Sequence, residues 1–546
     1  MLRRTCLTVV MWLMLCGTAH SQPAHSHATK ATGAEVPATL VRGLGSHRHP
    51  VSTSSPEAQK FFDQGLRFVY AFNHDEAVRS FKRAAQLDPQ MAMASWGIAL
   101  AFGPNINLEA EADREKAAHQ AVQQALVLAA KGPESERRYI EALARRHSAA
   151  ADSDPARRAL EYRNAMGELV KRNPDDLDAA TLFVEAGMNL RPWQLWKADG
   201  KPAEGTLEIV AVLESVLKRD PNHIGAIHYY IHAVEASPNP ERALAYAPRL
   251  GALAPAAGHL VHMPSHIYQR TGDYAAAARS NREAARADEA YIRSRGVTGL
   301  YPVMYYSHNL HFLAVAHSMA GRRADALGAA KRLEAHVAPH FKETPMVEGF
   351  MPTSTLLLVR FGKWSEILKL PRPDPAVRTV YALWHFARGS AFAAQREVAR
   401  AEREHAAFLE AGKRLPEDDG ARTMLTVAER LLRARIAAVK GETEAAIELL
   451  RQGVELEDTL PYGEPPAWYS PVRESLGGAL LRARRHAEAE AVFRADLERN
   501  RRSGRSLFGL TAALKAQGKT HDAKLVEGEF EKAWAEADTK LTLDDL

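Results

Sequence analysis

Cysteine is almost missing from this chain: 546 residues carry two, Cys6 and Cys16, both close to the start. That excludes a disulfide framework, a thiolate metal site and a catalytic thiol from the rest of the protein. Long apolar runs are missing too. The run Thr5 to Leu15 is too short to span a bilayer and no other stretch is long enough, so no transmembrane segment is expected. β-branched residues are sparse, which argues against a sheet protein. Aromatic residues make up 7% of the chain, and the formal net charge is only +5. Arg499 to Arg505 is the one basic run. It reads as a solvated helix end, because no stacking aromatics accompany it, and no nucleic-acid partner is expected. There is no phosphate-binding loop, dinucleotide fingerprint, Gly-x-Ser-x-Gly or His-Glu-x-x-His.

Ala, Leu, Arg and Glu dominate instead, which favours helices. At the N-terminus, Arg3 and Arg4 precede the apolar stretch, and Ala19-His20-Ser21 supplies small residues at the positions a signal peptidase reads. Residues 1–21 are therefore expected to be an export signal and the mature protein to be periplasmic and thiol-free. A lipoprotein anchored through Cys16 is disfavoured by the bulky Leu15 before it. Residues 22–54 show no helical periodicity and are read as a flexible tether.

From Ala58 onward the chain repeats with a period of about 34 residues. With Ala58 as position 1, Gly65 stands at 8, Ala77 at 20, Phe81 at 24, Ala84 at 27 and Pro89 at 32. Small residues at 8 and 20 let two helices approach, the phenylalanine fills the space between them, and the proline ends the second helix. The phase returns at Ile224 (Ala243 at 20), Gly258 (Ala277 at 20), Ser307 (Ala326 at 20), Ser470 (Gly477, Ala489, Phe493) and Gly504 (Ala523). Looser units begin near Ala92, Leu177, Glu348, Ala382 and Val427. Two insertions keep the phase, 189–206 with Trp193 and Trp196, and 292–306 with Tyr301. Loops of this kind often cover a groove. The proline-rich stretch 370–376 and the segment 459–468 are further breaks.

These landmarks resemble the tetratricopeptide repeat (TPR), and the likeness covers most of the chain. Strings such as Tyr70-Ala71-Phe72-Asn73-His74-Asp75, His228-Tyr229-Tyr230-Ile231-His232, Gly258-His259-Leu260-Val261-His262-Met263-Pro264-Ser265-His266 and His308-Asn309-Leu310-His311-Phe312 resemble a subfamily of exported bacterial TPR proteins. The resemblance implies an all-α superhelical solenoid of roughly ten to twelve helical hairpins. The last helix is expected to run past Trp534. One arc would cover 55–370 and a second 371–546. It also implies a concave face that binds a protein or peptide, and no particular reaction.

One feature exceeds a scaffold. In that phase, His228, His232, His259, His262, His266, His308 and His311 all fall on groove positions of three consecutive repeats. Such positions number twelve there, and the chain's histidine content predicts about half a histidine among them. Pairs spaced i,i+3 or i,i+4 share a helix face, so neighbouring repeats are expected to converge these imidazoles on one ion. Neutral imidazole suits Zn, Cu, Fe or Ni. Glu185 and Glu235 are the candidate acids. Pro264 must kink its helix or mark its true start. The sequence therefore points to an exported scaffold with a metal-binding groove. A metal-dependent hydrolase or oxidase, a metal-free polar groove and a purely architectural envelope scaffold remain open.

Overall fold

The computed structural model describes residues 38–109, 111–150, 154–416 and 420–546. The expected export signal and both cysteines lie outside them. Among the described residues there are twenty-five α-helices, most of them paired as hairpins, from Pro56–Tyr70 with His74–Leu87 to Gly504–Ala516 with Thr520–Ala533. The architecture is a helical solenoid. No described helix is long and apolar enough to cross a membrane.

The repeat landmarks act as their spacing implies. Phe81 is fully buried. Its ring is wedged so tightly that a Cβ on Gly65 would meet it at 2.6 Å and one on Gly97 at 2.5 Å. The last two units repeat the arrangement. There the Phe493 ring lies 2.3 Å from a Cβ built on Gly477 and 2.2 Å from one on Gly509. A glycine on the ring's own unit and a second on the next unit thus flank each wedge. Capping is local: Ser55, Asn73, Asp176, His223 and Asp273 each accept a hydrogen bond from a backbone amide in the first turn of their helices.

Four expectations need correction. Residues 38–54, read as part of a tether, are packed down. Leu44 is buried, and His47 Nε2 and His49 Nδ1 each lie 2.9 Å from the Asp178 carboxylate. The unit at Ile224 has no regular second helix. Pro240 and Pro248 lack the amide hydrogens a ladder needs, and 3₁₀ turns Pro240–Ala245 and Ala247–Arg249 stand there. The insertion at 292–306 is largely helical, because Tyr274–Arg295 overruns it and a π-helical turn, Tyr301–Tyr306, leads into Ser307–Met319. The last helix stops at Ala533. The chain then folds back, so that Asp538 accepts hydrogen bonds from the Arg323 and Ala324 amides.

That return is one of several contacts that bring distant repeats together. Tyr274 donates to the Arg501 carbonyl, Arg501 pairs with Glu241, and the Gly43 carbonyl accepts from the Ala256 amide. Arg499, Arg501 and Arg505 of the basic run are committed to Asp458, Glu241 and Glu474. The first hairpin and the last arc both reach the central repeats, so the inner face of those repeats is covered.

Replacing Gly97 or Gly509 by alanine should destabilise the protein by about 1–3 kcal/mol, since each new methyl overpacks a phenylalanine wedge. Urea unfolding followed by circular dichroism measures it. An unchanged midpoint in both variants would remove the wedge as the determinant of hairpin stacking.

Candidate metal centre

Six of the seven groove histidines come together, but as two triads rather than around one point. His228, His232 and His259 form the first, and His262, His266 and His308 the second. Within each, the candidate nitrogen ligands all lie within 4.8 Å of one another. The helix carrying the second repeat's histidines breaks at Met263 into Gly258–His262 and Pro264–Thr271. The kink at Pro264 coincides with the division, since His259 joins the first triad while His262 and His266 join the second. Five of the six rings are buried and His308 is half-buried.

Hydrogen bonds set the tautomers. His228 Nδ1 donates to the Tyr70 carbonyl at 2.7 Å. His232 Nδ1 and His266 Nδ1 reach the two oxygens of one carboxylate, Glu235, at 2.7 and 2.5 Å. His262 Nδ1 meets Asn281 Oδ1 at 2.7 Å, and the Asn281 amide donates to the Ala277 carbonyl, which fixes its oxygen toward the ring. Four of six rings therefore spend their Nδ1 hydrogen outward on an acceptor and turn Nε2 inward, as metal-ligating histidines do. His262 Nε2 and His266 Nε2 face each other at 2.7 Å, and His228 Nε2 faces His259 Nε2 at 3.1 Å. His232 Nε2 is buried without a hydrogen-bond partner. Two lone pairs opposed at such a distance need a cation between them, either a proton or a metal.

Electrostatics sharpen the point. Burial, then the neighbouring imidazoles, hold His259 and His262 well below the usual histidine range, and burial with the His232 charge does the same at His228. His232 is also lowered by burial, and His308 falls to about 3 by burial and the charge of His266. His266 goes the other way. Burial opposes its charge, but Glu235 beside it outweighs that and lifts it to about 10. Glu235 is held below the usual carboxylate range: burial opposes its charge, and His266 and His232 overcome it. Glu464, pushed up chiefly by burial, lies 3.3 Å from His266 Nδ1 and accepts a hydrogen bond from Tyr462.

Aromatic rings close the site. Phe72 lies 4.5, 6.0 and 5.5 Å, between ring centroids, from His228, His232 and His259. Phe312 lies 5.2, 5.2 and 5.8 Å from His262, His266 and His308. Phe72 occupies the turn after Pro56–Tyr70 at φ 54°. The equivalent turns use glycine at Gly272, Gly321 and Gly441 and arginine at Arg396 and Arg484. A bulky residue held in the left-handed region costs on the order of 1–3 kcal/mol, and such strain gathers at functional sites. Both insertions contribute a cover, with Trp193 5.4 Å from His232 and Tyr305 5.0 Å from His259.

His311 and Glu185 do not join. His311, one helical turn past His308, sits against Phe350 and Tyr469 and is not within ligand distance of the second triad. Glu185 is buried beside Arg146, 3.6 Å away, and serves as its counterion. The residues that sequence reasoning missed are Phe72, Asn281, Phe312, Tyr462 and Glu464. The last two lie in the 459–468 break, where a tyrosine and a glutamate among prolines were the only signal.

Asp178 gathers a second group of histidines near a surface pocket, with His47, His49 and His223 around it and Tyr70 donating at 2.5 Å. Its tautomers argue differently. His223 Nδ1 accepts the Ala226 amide hydrogen, so its Nε2 carries the proton that points at Asp178, 3.3 Å away. This is a hydrogen-bonded knot that pins residues 38–54, with no lone pair offered to a metal from His223.

Glu235→Ala in metal-free protein leaves His266 buried without its counterion and two Nδ1 hydrogens without an acceptor. A loss of about 3–5 kcal/mol is expected by urea unfolding. A loss under about 1 kcal/mol would mean that the carboxylate is not the group holding the two rings.

No protein-family model matches the chain, and no curated protein does. Solved structures do. Human IFIT1, as a dimer with m7Gppp-AAAA, aligns over 89% of this chain and 92% of its own, with 11% identity and a TM-score of 0.34. Yeast Tom70 aligns over 88% and 93%, with 11% identity and a TM-score of 0.27. The P58(IPK) TPR domain aligns over 85% and 99%, with 11% identity and a TM-score of 0.21. The helical solenoid of TPR-like hairpins is read from this chain's own helices and not from these likenesses.

Proposed function

We propose that this protein is an exported TPR-type solenoid that holds transition-metal ions in its interior on two three-histidine sites, with its outer helical faces left for a protein partner. The observation that carries the metal reading is the opposition of His262 Nε2 and His266 Nε2 at 2.7 Å, with both Nδ1 atoms committed to Asn281 and Glu235. Two imidazoles on a tetrahedral zinc-like ion at 2.0–2.1 Å stand about 3.3 Å apart, so a small outward movement of the rings admits an ion. A peptide-binding groove fits less well. The histidines are covered by Phe72, Trp193, Tyr305 and Tyr462, and the crevice beside His232 and Glu235 measures only about 20 Å³. That is room for a water or an ion. The residues of 1–21 support export, and export supports a site built without thiolate.

Protein purified without a histidine tag should contain zinc, copper, iron or nickel by elemental mass spectrometry. His262→Ala and His228→Ala should each lose metal, and His317→Ala should not. Chelation should leave the circular dichroism helical, because repeat stacking does not depend on the ion. Protein that stays metal-free and binds none of these ions at micromolar concentration and neutral pH defeats the reading.

The pH dependence has a definite sign. Rings with lowered values are already neutral at pH 7 and offer their nitrogens freely. His266, lifted to about 10, holds a proton that an ion must displace. Binding at its triad should therefore release about one proton and tighten as pH rises from 6 to 8. Calorimetry in buffers of different ionisation enthalpy reads that proton. Uptake of a proton on binding would contradict the arrangement.

A further inference from the structure

Resting on that reading, we propose that the two triads form one paired centre for two cuprous ions, coupled through Glu235. Coordination number is the first argument. Each triad supplies three imidazole nitrogens, and a single phenylalanine lies near all three rings, Phe72 at the first and Phe312 at the second. Each triad thus offers three donors beside an apolar ring, one short of a tetrahedral set. Structural zinc takes four ligands, and a catalytic zinc keeps a water in the open position. Magnesium, calcium and manganese want oxygen donors. Monovalent copper, with a filled d shell, is content with three nitrogens and no water.

Charge is the second argument. The six ligands are neutral imidazoles, and neither triad contains a carboxylate or a thiolate. The negative groups within reach are Glu235, whose two oxygens are taken up by His232 and His266, and Glu464, which accepts from Tyr462 and lies 3.3 Å from His266. Two divalent ions would leave a surplus of positive charge in a buried, aromatic-lined site, and uncompensated buried charge is strongly disfavoured. Two monovalent ions are balanced by these two carboxylates.

Proximity makes the ions a pair. Across the triads, His232 and His266 are 5.6 Å apart and His259 and His262 are 5.8 Å apart, between ring centroids. The widest pair within a triad, His232 and His259, is 6.3 Å apart. The six rings thus form one continuous array. Glu235 orients one ring of each triad through a different oxygen, so an ion that settles one ring also fixes the carboxylate for the other.

The experiment is an anaerobic titration of the full mature chain, stripped of metal, with Cu(I) held by a chromogenic cuprous chelator, and in parallel with Zn(II). Two equivalents of Cu(I) per chain are expected, bound tighter than Zn(II) by about tenfold or more. His228→Ala and His262→Ala should each retain one equivalent, with circular dichroism confirming that the variants fold. Glu235→Gln, whose amide can accept from only one of the two rings, should weaken Cu(I) binding by about 10–100-fold. Phe312→Ala, which opens the second triad to water, should narrow the preference for Cu(I) over Zn(II). One equivalent in the parent chain, or zinc bound as tightly as copper, overturns the cuprous pair while leaving a metal-binding solenoid. Failure to bind either ion, or iron or nickel, overturns both.

Discussion

One buried carboxylate organises the centre of this molecule. Glu235 is 1% exposed, ends the helix Ile224–Val234, and receives the outward hydrogens of His232 and His266 while Tyr462 approaches from the far side at 3.3 Å. Arg270 donates to its carbonyl. Three parts of the chain therefore meet on one residue: the repeat at Ile224, the repeat at Gly258 and the break at 459–468. A charge this deep survives because both oxygens are met by donors, and the two histidines that donate are held with their Nε2 atoms turned inward.

The route from sequence to site passes through two departures from regular repeat geometry. Prolines at 240 and 248 prevent a normal second helix in the unit at Ile224. Proline at 264 kinks the next first helix. Without the kink, His259, His262 and His266 would project along one straight face. With it, the helix delivers His259 to one triad and the other two to the next. A repeat solenoid with ideal units offers a ladder of side chains, whereas this one offers two pockets.

Much of this was legible in the sequence. The phase set by Ala77, Phe81 and Ala277 placed the paired helices, and it picked out six histidines that meet and the Glu235 beside them. It failed at His311 and Glu185, which satisfy the same periodicity. Whether a groove position points at its neighbours depends on how far the following repeat rotates, and spacing along the chain does not encode that rotation. Residues 38–54 looked like a tether because an extended segment has no period to detect. They are held by Asp178, a side chain far along the sequence.

Local physics along the sequence was enough to determine that this protein is helical and repetitive, has almost no cysteine to ligate with, and crowds histidine onto one face of its central repeats. Those properties follow from composition and from interactions a few residues apart. Tertiary structure alone decided that there are two triads, that Phe72 and Phe312 each lie near one, and that Tyr462 and Glu464 close the site from more than two hundred residues away. These depend on the winding that brings the first hairpin and the last arc onto the central repeats. Winding is the sum of many small rotations between neighbours, and no single residue or spacing carries it.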